Sequence, residues 1–279
     1  MATPPTPSDI KWADIGVNLG DKQFNDDRDA VVDRAKAEGV EWMLLTGTSL
    51  TGSKTAIDLC DHYSSVYGNC YATVGIHPHS ASDVSASVLS ELSQLVKHPS
   101  VRAVGETGLD FNRDFSPRDQ QERAFEQQLA LAIDCQLPVF LHQRDAHPRF
   151  LPILKSFRDQ LQGVVVHCFT DNKTALYDYL DLDCHIGITG WVCDERRGLP
   201  LAELVPHIPA TRILIETDAP YLLPRNLPEP LAKKRRNEPA ALPWIGQTIA
   251  TLRNEPLTQV ARQTYDNAQQ LFCPAQIDT

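Results

Sequence analysis

The chain has 279 residues, and 26 lysines and arginines against 36 aspartates and glutamates give a formal net charge of −10. Hydrophobic residues make up 42% of the chain, which is enough to fill a sizeable core and excludes wholesale disorder. The acidic balance argues against a protein that coats nucleic acid through a broad basic face, although a bound metal ion reverses the charge locally in a cleft.

The first residues are rich in proline, threonine and serine and lack the basic and apolar segments of a secretory signal. No apolar stretch approaches the roughly 20 residues that a membrane span needs, so we expect no membrane association. The seven cysteines are scattered and form no CxxC pair. This pattern favours free thiols and a cytoplasmic location over a zinc ribbon or a redox motif.

Short runs of apolar, β-forming residues alternate with helical patterns along the chain. The runs predict eight strands, at residues 13–19, 42–46, 71–76, 101–105, 138–142, 164–168, 185–189 and 212–215. Helical spacing of apolar residues is clearest at residues 26–38, 53–63, 87–97, 117–135 and 146–161. Residues 240–272 predict one or two terminal helices packed on the outside.

Eight strand–helix units predict parallel strands with right-handed crossovers, and closing them gives a (β/α)₈ TIM barrel of the α/β class. An open doubly wound sheet is the alternative. The length favours closure, because α/β barrels often have about 250 residues in one domain. We therefore expect a single catalytic domain at residues 13–273, with flexible tails at residues 1–12 and 274–279.

Polar residues interrupt the apolar runs at the carboxyl ends of the predicted strands. In a barrel these ends meet at one face, where catalytic groups lie. Four of the nine histidines fall at such ends, together with two carboxylates. The six residues are His77, His79, Glu106, His142, His167 and Asp218.

Four of these residues, Glu106, His142, His167 and Asp218, combine carboxylates with imidazoles and include no thiolate. This mixture of ligands suits Mg²⁺, Mn²⁺ or Zn²⁺. Taken alone, a histidine at a strand end more often only forms hydrogen bonds, and Asp218 can cap the following turn. Their joint occurrence predicts a metal site, at which Asp218 can also accept the proton of an attacking water.

Several motifs occur in the order found in one family. They are DIGVNL at residues 14–19, GIHPH at 75–79, GETGLDFNR at 105–113, HCFT at 167–170, GITGWVCDERRG at 187–198 and ETDAPYL at 216–222. This ordered set resembles the TatD family of metal-dependent deoxyribonucleases, over about residues 14 to 272.

The resemblance implies a TIM-barrel hydrolase of the amidohydrolase-like superfamily. The activity that it implies is 3′–5′ exonuclease cleavage of single-stranded DNA, with RNA as a further substrate and Mg²⁺ as the first candidate metal. By position, the four residues Glu106, His142, His167 and Asp218 correspond to metal ligands. His77 and His79 correspond to active-site residues near the scissile phosphate, so the predicted catalytic residues are His77, His79, Glu106 and Asp218.

The first strand departs from the pattern of many relatives, which carry a His-x-His pair at its end. This chain has Gly16, Val17 and Asn18 there instead. An asparagine carbonyl is a weaker, neutral ligand, so the number of ions, one or two, stays open. We expect Asn18 and Asp110 to orient the ligands rather than to bind metal themselves.

The pair His77 and His79 flanks Pro78. In extended geometry two side chains at this spacing point in opposite directions. We therefore expect one histidine to contact a phosphate and the other to support the site.

Four further residues are candidate substrate contacts. Arg113, Arg144 and Arg236 suit phosphate, because a guanidinium group matches paired phosphate oxygens. Tyr221 can stack on a base. The basic run at residues 233–236 can follow a polynucleotide backbone or be a solvated surface.

Two other functions remain alternatives. One is a metal-dependent ester or amide hydrolase such as a D-aminoacyl-tRNA deacylase; the other is a non-catalytic quality-control protein on an inherited barrel. No lysine lies at a predicted strand end to carry a bridging carbamate, which favours phosphodiesters. We expect a monomer that acts on the 3′ ends of single-stranded nucleic acid, in DNA repair or nucleic-acid turnover.

Overall fold

The computed structural model describes residues 10–228 and 236–273. Its eight parallel strands pair in chain order. They are β1 (Trp12–Val17), β2 (Val40–Leu45), β3 (Asn69–Val74), β4 (Val101–Asp110), β5 (Val139–Arg144), β6 (Val164–Val166), β7 (His185–Ile188) and β8 (Ile213–Ile215). A parallel bridge between Val17 and Ala219 joins the two ends of the sheet. This closure confirms the predicted TIM barrel over the open sheet.

Helices follow the strands on the outside of the barrel. In the described part of the chain they are α1 (Arg28–Ala37), α2 (Leu50–Tyr67), α3 (Ala86–Leu95), α4 (Arg118–Cys135), α5 (His147–Phe157), α6 (Lys173–Asp181), α7 (Leu199–Leu204), α8 (Leu242–Arg253) and α9 (Leu257–Phe272). Short 3₁₀ turns lie at Lys22–Phe24, Pro78–Asp83, Arg158–Gln160, Gly190–Cys193, Val205–His207 and Pro239–Ala241. Three helices begin at a side chain that accepts a backbone N–H, namely Ser49, Ser85 and Asn172.

Alternate residues of the strands fill the barrel interior, as the two-residue period of a strand requires. The interior cluster includes Ile15, Trp42, Phe140 and Leu214. The end of α9 joins this cluster, and the ring of Phe272 stacks on Trp42 with centroids 5.7 Å apart. The expectation that the terminal helices pack only on the outside is therefore wrong for α9, whose last turn covers the bottom of the barrel with apolar side chains.

Strand β4 is longer than predicted and irregular in the middle. Val104 pairs with Val139 and Thr107 with Leu141, so three steps along β4 match two along β5. This bulge lies at Glu106, whose backbone N–H donates to the carbonyl of Gly47 instead of to β5. Bulges redirect side chains, and here Glu106 lies at a bulge inside β4 rather than at the strand end.

The predicted tails at residues 1–12 and 274–279 fall largely or wholly outside the described residues. All seven cysteines are free thiols. Within the described residues, no helix has the length and apolar character needed to cross a membrane.

Candidate metal centre and active site

A cavity of about 880 Å³ opens at the carboxyl ends of the strands. Its walls contain every residue that the sequence predicted for the site except Arg236. The predicted residues that line it are Asn18, His77, His79, Glu106, Asp110, Arg113, His142, Arg144, His167, Asp218 and Tyr221.

The centre of this group is the buried carboxylate of Glu106. Its Oε1 atom lies 2.8 Å from Nε2 of His167, 3.0 Å from Nδ1 of His142 and 3.2 Å from Nε2 of His77. Burial opposes ionisation of Glu106, but the imidazoles of His167 and His77 outweigh it and hold the pKa of the carboxyl well below its usual range. A single oxygen thus faces three imidazole nitrogens.

The backbone around Glu106 is held tightly. Gly105 has a φ of +145°, and a Cβ there would lie 2.2 Å from the carbonyl oxygen of Phe140, so no other residue fits. Behind it, the side chain of Gln128 on α4 accepts the N–H of Ile76 and donates to the hydroxyl of Thr107. These bonds fix β3 and β4 to α4 and so set the position of the carboxylate.

Both His77 and His79 point into the cavity, and their ring centroids are 4.2 Å apart. The expectation of opposite directions is wrong, because the chain turns into a 3₁₀ segment at Pro78 instead of staying extended. The backbone N–H of His79 donates to Nδ1 of His77. In the neutral ring the proton of His77 then lies on Nε2, which makes this nitrogen a donor toward Glu106.

Asp110 lies between His79 and His142. Its Oδ2 lies 2.8 Å from Nε2 of His79 and 3.3 Å from Nε2 of His142, while its Oδ1 accepts the N–H groups of Asn112 and Arg113. Burial opposes ionisation, but these bonds hold the pKa of Asp110 below its usual range. Asp110 therefore lies within ion-pair distance of both His79 and His142, and its role in orienting a ligand stays a prediction.

Glu216 is a functional candidate that sequence reasoning missed. It is fully buried between Gly16 and Gly187, where a Cβ would lie 2.2 and 2.5 Å from its carboxylate oxygens. One oxygen lies 3.3 Å from Nδ1 of His167, and the other accepts the N–H of Cys168. The signal was present in the sequence, as an acidic residue directly after an apolar strand.

Asp218 lies two residues after Glu216, in the loop that follows β8. Nδ2 of Asn18 donates to its Oδ1 over 2.9 Å, and its backbone N–H donates to the carbonyl of Gly16. Burial raises the pKa of Asp218 to about 7, with Glu106 and Glu216 adding to the shift and His167 opposing it. Asn18 thus contacts Asp218 through its amide nitrogen.

Asp14 is a second buried carboxylate that the sequence did not single out. It lies in the apolar strand β1 and accepts both the N–H and the hydroxyl of Thr217. Burial raises the pKa of Asp14 to about 8. Because Thr217 lies between Glu216 and Asp218, Asp14 fixes the segment that carries both carboxylates.

The chemistry of these atoms fits a divalent cation. Glu216 accepts the Nδ1 proton of His167, which aims the Nε2 lone pair at the Glu106 oxygen 2.8 Å away. Two acceptors at this distance need a proton or a cation between them. His142 also lies between two carboxylates, with Nδ1 3.0 Å from Glu106 and Nε2 3.3 Å from Asp110, although Nε2 forms no hydrogen bond of good geometry with the described residues. Ligand atoms of His77, Glu106 and His142 all lie within 4.8 Å of one another, a spacing that one ion can bridge.

The predicted substrate contacts divide into two groups. Arg113 and Arg144 line the cavity, and neither guanidinium has a carboxylate within ion-pair distance in residues 10–228 or 236–273. Tyr221 also lines it and donates its hydroxyl to Asp21.

The prediction for Arg236 needs correction. Its guanidinium donates to the carboxylates of Asp27 and Glu238 and lies over the ring of Phe24, away from the cavity. These partners already use its donors, so the geometry does not support a phosphate clamp there. The rest of the predicted basic run, at residues 233–235, lies outside the described residues.

A closed barrel of eight parallel strands, with a carboxylate and imidazoles grouped at the mouth, defines the class of metal-dependent TIM-barrel hydrolases. The sequence profile of the family described as TatD related DNase matches residues 13–273. The chain belongs to this family, and it is therefore a hydrolase that acts on ester bonds of nucleic acids.

Curated relatives share about half of its residues. A protein of Klebsiella pneumoniae (strain 342) named 3′-5′ ssDNA/RNA exonuclease TatD is 52% identical over 259 residues, which are 93% of this chain and 97% of the relative. A protein of Salmonella typhimurium with the same name is 51% identical over 93% of this chain and 98% of the relative.

Solved structures agree with the fold. A TatD family hydrolase of Entamoeba histolytica superimposes with a TM-score of 0.87 at 26% identity, over 95% of this chain and 99% of that one. A TatD homologue of Escherichia coli gives a TM-score of 0.83 at 26% identity, over 94% of this chain and 97% of that one.

Proposed function

We propose that the chain is a metal-dependent exonuclease that removes nucleotides from the 3′ ends of single-stranded DNA and of RNA. The observation that carries this proposal is the buried Glu106 oxygen facing three imidazole nitrogens in a cavity of about 880 Å³, a size typical of ligand sites. The names of the Klebsiella and Salmonella relatives support the polarity and the single-stranded substrates.

We assign Glu106, His142, His167 and Asp218 as the metal ligands, with Mg²⁺ as the first candidate and Mn²⁺ or Zn²⁺ as alternatives. When bound, such an ion supplies Lewis-acid chemistry that polarises a phosphoryl oxygen and lowers the pKa of water. Glu106 and His142 share with His77 the group of ligand atoms that lie within 4.8 Å of one another and account for one ion. His167 contacts the same Glu106 oxygen at 2.8 Å and is the neighbouring ligand in this assignment. A second ion would need Asp218 on the side of β8.

Asp218 is the proposed proton acceptor for the attacking water. Asn18 donates to its Oδ1, so Oδ2 remains to take the proton. Burial and the carboxylates of Glu106 and Glu216 raise the pKa of Asp218, which favours its taking a proton, whereas an ion bound to the same carboxylate would lower that pKa again.

The remaining polar groups position the reacting ones. Nε2 of His77 carries a proton and donates either to Glu106 or to a phosphate oxygen of the substrate. The His79 ring is held by Asp110 and lies beside the His77 ring, where His79 can contact the scissile phosphate. Glu216 orients His167 from behind.

Arg113 and Arg144 are the proposed phosphate contacts, because both project at the mouth without a carboxylate partner in the described chain. Tyr221 is 49% exposed and fixed by Asp21, which suits it to stack on a base. Arg236 does not belong to this set, because its guanidinium donates to Asp27 and Glu238.

Single-stranded oligonucleotides labelled at the 3′ or the 5′ end test the activity, with Mg²⁺, Mn²⁺, Zn²⁺ or EDTA. We expect a mononucleotide from the 3′ label, progressively shorter products from the 5′ label, and no cleavage in EDTA. Undiminished cleavage in EDTA would contradict the metal assignment. Hydrolysis of a D-aminoacyl-tRNA without oligonucleotide cleavage would favour the ester hydrolase instead.

We further propose a single catalytic domain at residues 13–273, a monomeric state, a cytoplasmic location and a role in DNA repair or nucleic-acid turnover. Free cysteines support the reducing compartment. In residues 10–228 and 236–273, β8 bridges back to β1 and the sheet leaves no unpaired edge strand to drive association, which supports the monomer. Size-exclusion chromatography with light scattering tests the oligomeric state.

A further inference from the structure

Phe115 is an apolar side chain left in solvent at the rim of the cavity. It is 67% exposed, more than any other large hydrophobic side chain in the described residues. A phenylalanine ring normally gains stability from burial, so this exposure needs a reason other than packing.

The ring lies directly beside the proposed active site. Its centroid is 4.7 Å from the imidazole of His79, with the two planes at 73°. His79 forms part of the cavity wall. Phe115 itself is not among the residues that line the cavity; its ring lies outward of the His79 wall and is exposed to solvent.

The loop that carries Phe115 is held in place. Asp110 accepts the N–H of Arg113 near the start of the loop. At its end, Ser116 donates its hydroxyl to the carbonyl of His79, and Gln121 donates to the carbonyl of Ser116. A ring fixed in this way is ordered before any ligand binds, so contact with it costs little conformational entropy.

The same loop presents a positive charge. The guanidinium of Arg113, two residues before the ring, lines the cavity and has no carboxylate partner in the described chain. The neighbouring carboxylate of Asp114 is already paired with Arg118 at 2.7 Å. The loop thus offers an aromatic face and an available cation, which match the base and the phosphate of a nucleotide.

We propose that Phe115 is a stacking platform for one nucleobase of the single-stranded substrate and that Arg113 binds the adjoining phosphate. This inference rests on the proposed exonuclease function and adds a subsite at the β4 side of the mouth. Every nucleobase has an aromatic face, so the platform accepts all four bases. It therefore contributes affinity without sequence preference.

Steady-state kinetics on a labelled single-stranded oligonucleotide test the platform. We expect Phe115→Ala to raise KM by roughly five-fold to more than 100-fold, the range of one base–aromatic stack, with kcat little changed. Phe115→Tyr keeps an aromatic face and should restore the wild-type KM. Tyr177→Ala is the control, since Tyr177 is an exposed aromatic residue on α6 whose ring neighbour is His207, which is not a cavity residue, whereas Phe115 contacts His79.

Abasic substrates show which nucleotide the ring contacts. Removing one base at a time should raise the KM of the wild type most at a single position, and in Phe115→Ala that position should have no special effect. An unchanged KM in Phe115→Ala, or the same abasic profile in both proteins, overturns the platform while wild-type cleavage still supports the exonuclease. A wild type that cleaves no single strand overturns both.

Discussion

At the mouth of the barrel, His167 is 4% exposed and has a carboxylate oxygen 2.8 Å from one ring nitrogen and 3.3 Å from the other. At the bottom, His185 begins β7 and is 9% exposed, and neither of its ring nitrogens forms a hydrogen bond of good geometry with the described residues. Burial lowers the pKa of His185 to about 4, whereas Glu106 and Glu216 outweigh burial and raise the pKa of His167 well above its usual range.

The difference shows what buried carboxylates add to the mouth. These two histidines of similar exposure differ in the direction of their pKa shift, because Glu106 and Glu216 lie beside His167, whereas the charge of Arg212 adds to the effect of burial at His185. Polar groups at the carboxyl ends of barrel strands serve chemistry, and those at the amino ends bear on stability. The two ends should therefore respond differently to substitution.

The largest effect is expected at Glu106. Glu106→Gln keeps the shape of the side chain but removes the charge that faces three imidazoles. We expect at least a roughly 100-fold loss of cleavage, in the range for removing one group that stabilises the transition state. The measurement is nucleotide release from a 3′-labelled oligonucleotide in Mg²⁺, alongside Tm.

Glu41→Gln is the matched control for this change, because Glu41 pairs with Lys11 on the surface. It should leave both cleavage and Tm near wild type. Cleavage retained in Glu106→Gln would contradict the assignment of Glu106 as a ligand and would make the two ends of the barrel equivalent.

A smaller effect is expected behind the ligands, at Glu216. Glu216→Gln leaves only one acceptor for the Nδ1 proton of His167 and the N–H of Cys168. Changes to groups that orient a metal ligand typically cost about 10- to 100-fold in metal affinity or activity. We expect the concentration of Mg²⁺ that gives half-maximal cleavage to rise by that factor.

Raising Mg²⁺ should restore part of the activity of Glu216→Gln, which a misfolded protein would not show. If Glu216→Gln reached half-maximal cleavage at the same Mg²⁺ concentration as the wild type, His167 would not need Glu216 to hold it in position. The result thus separates an orienting role from a role in packing the barrel interior.

The fold could be predicted from the sequence, because apolar periodicity and strand ends are local signals. The same signals named residues that the structure, except for Arg236, places around one cavity, while their roles stay predictions. The direction of a side chain was not predictable where the backbone is irregular, as at the bulge of Glu106 and the turn after Pro78. Hydrogen-bond and ion-pair partners that are distant along the chain could not be predicted either. Arg236 has the chemistry of a phosphate contact, yet Asp27 takes its guanidinium.

Buried carboxylates posed a related problem. Asp14 and Glu216 lie in or next to apolar runs, and the sequence cannot say whether such an acid binds metal, orients a ligand or joins two strands. Only the closure of β8 on β1 brings Asp14 to Thr217. The contacts of Asp14 with Thr217 span 203 residues, and those of Glu216 with His167 and Cys168 span 49 and 48 residues, separations that periodicity does not encode.

The bottom of the barrel should show its effect in stability and not in cleavage. His185 is neutral in the folded protein and gains a proton more easily in the unfolded chain. Its contribution to the free energy of unfolding is therefore complete above a pH of about 6.5 and is lost as the pH falls toward about 4. Between neutral pH and about pH 5 this amounts to about 2 kcal/mol of unfolding free energy. His185→Leu should remove that part of the acid sensitivity.

Urea unfolding at the two pH values measures this difference. His62→Leu, a change of the same kind on the exposed surface of α2, should unfold with the acid sensitivity of the wild type. If His185→Leu and the wild type lost the same unfolding free energy between neutral pH and about pH 5, His185 would already be protonated or hydrogen-bonded in the folded protein. The contrast between His185 and His167 would then disappear.

The smallest effect is expected at Asn18, where the structure separates a ligand from an orienting residue. Asn18→Ala removes one hydrogen bond to Asp218, which is worth about 0.5–1.5 kcal/mol and corresponds to a loss of cleavage between about two- and ten-fold. If Asn18 bound an ion directly, the loss of cleavage in Asn18→Ala would approach that of Glu106→Gln. The Mg²⁺ titration of Asn18→Ala would then show one binding step fewer than that of the wild type. Comparing the Mg²⁺ titrations of both variants therefore decides whether the β1 side of the mouth holds a metal position of its own.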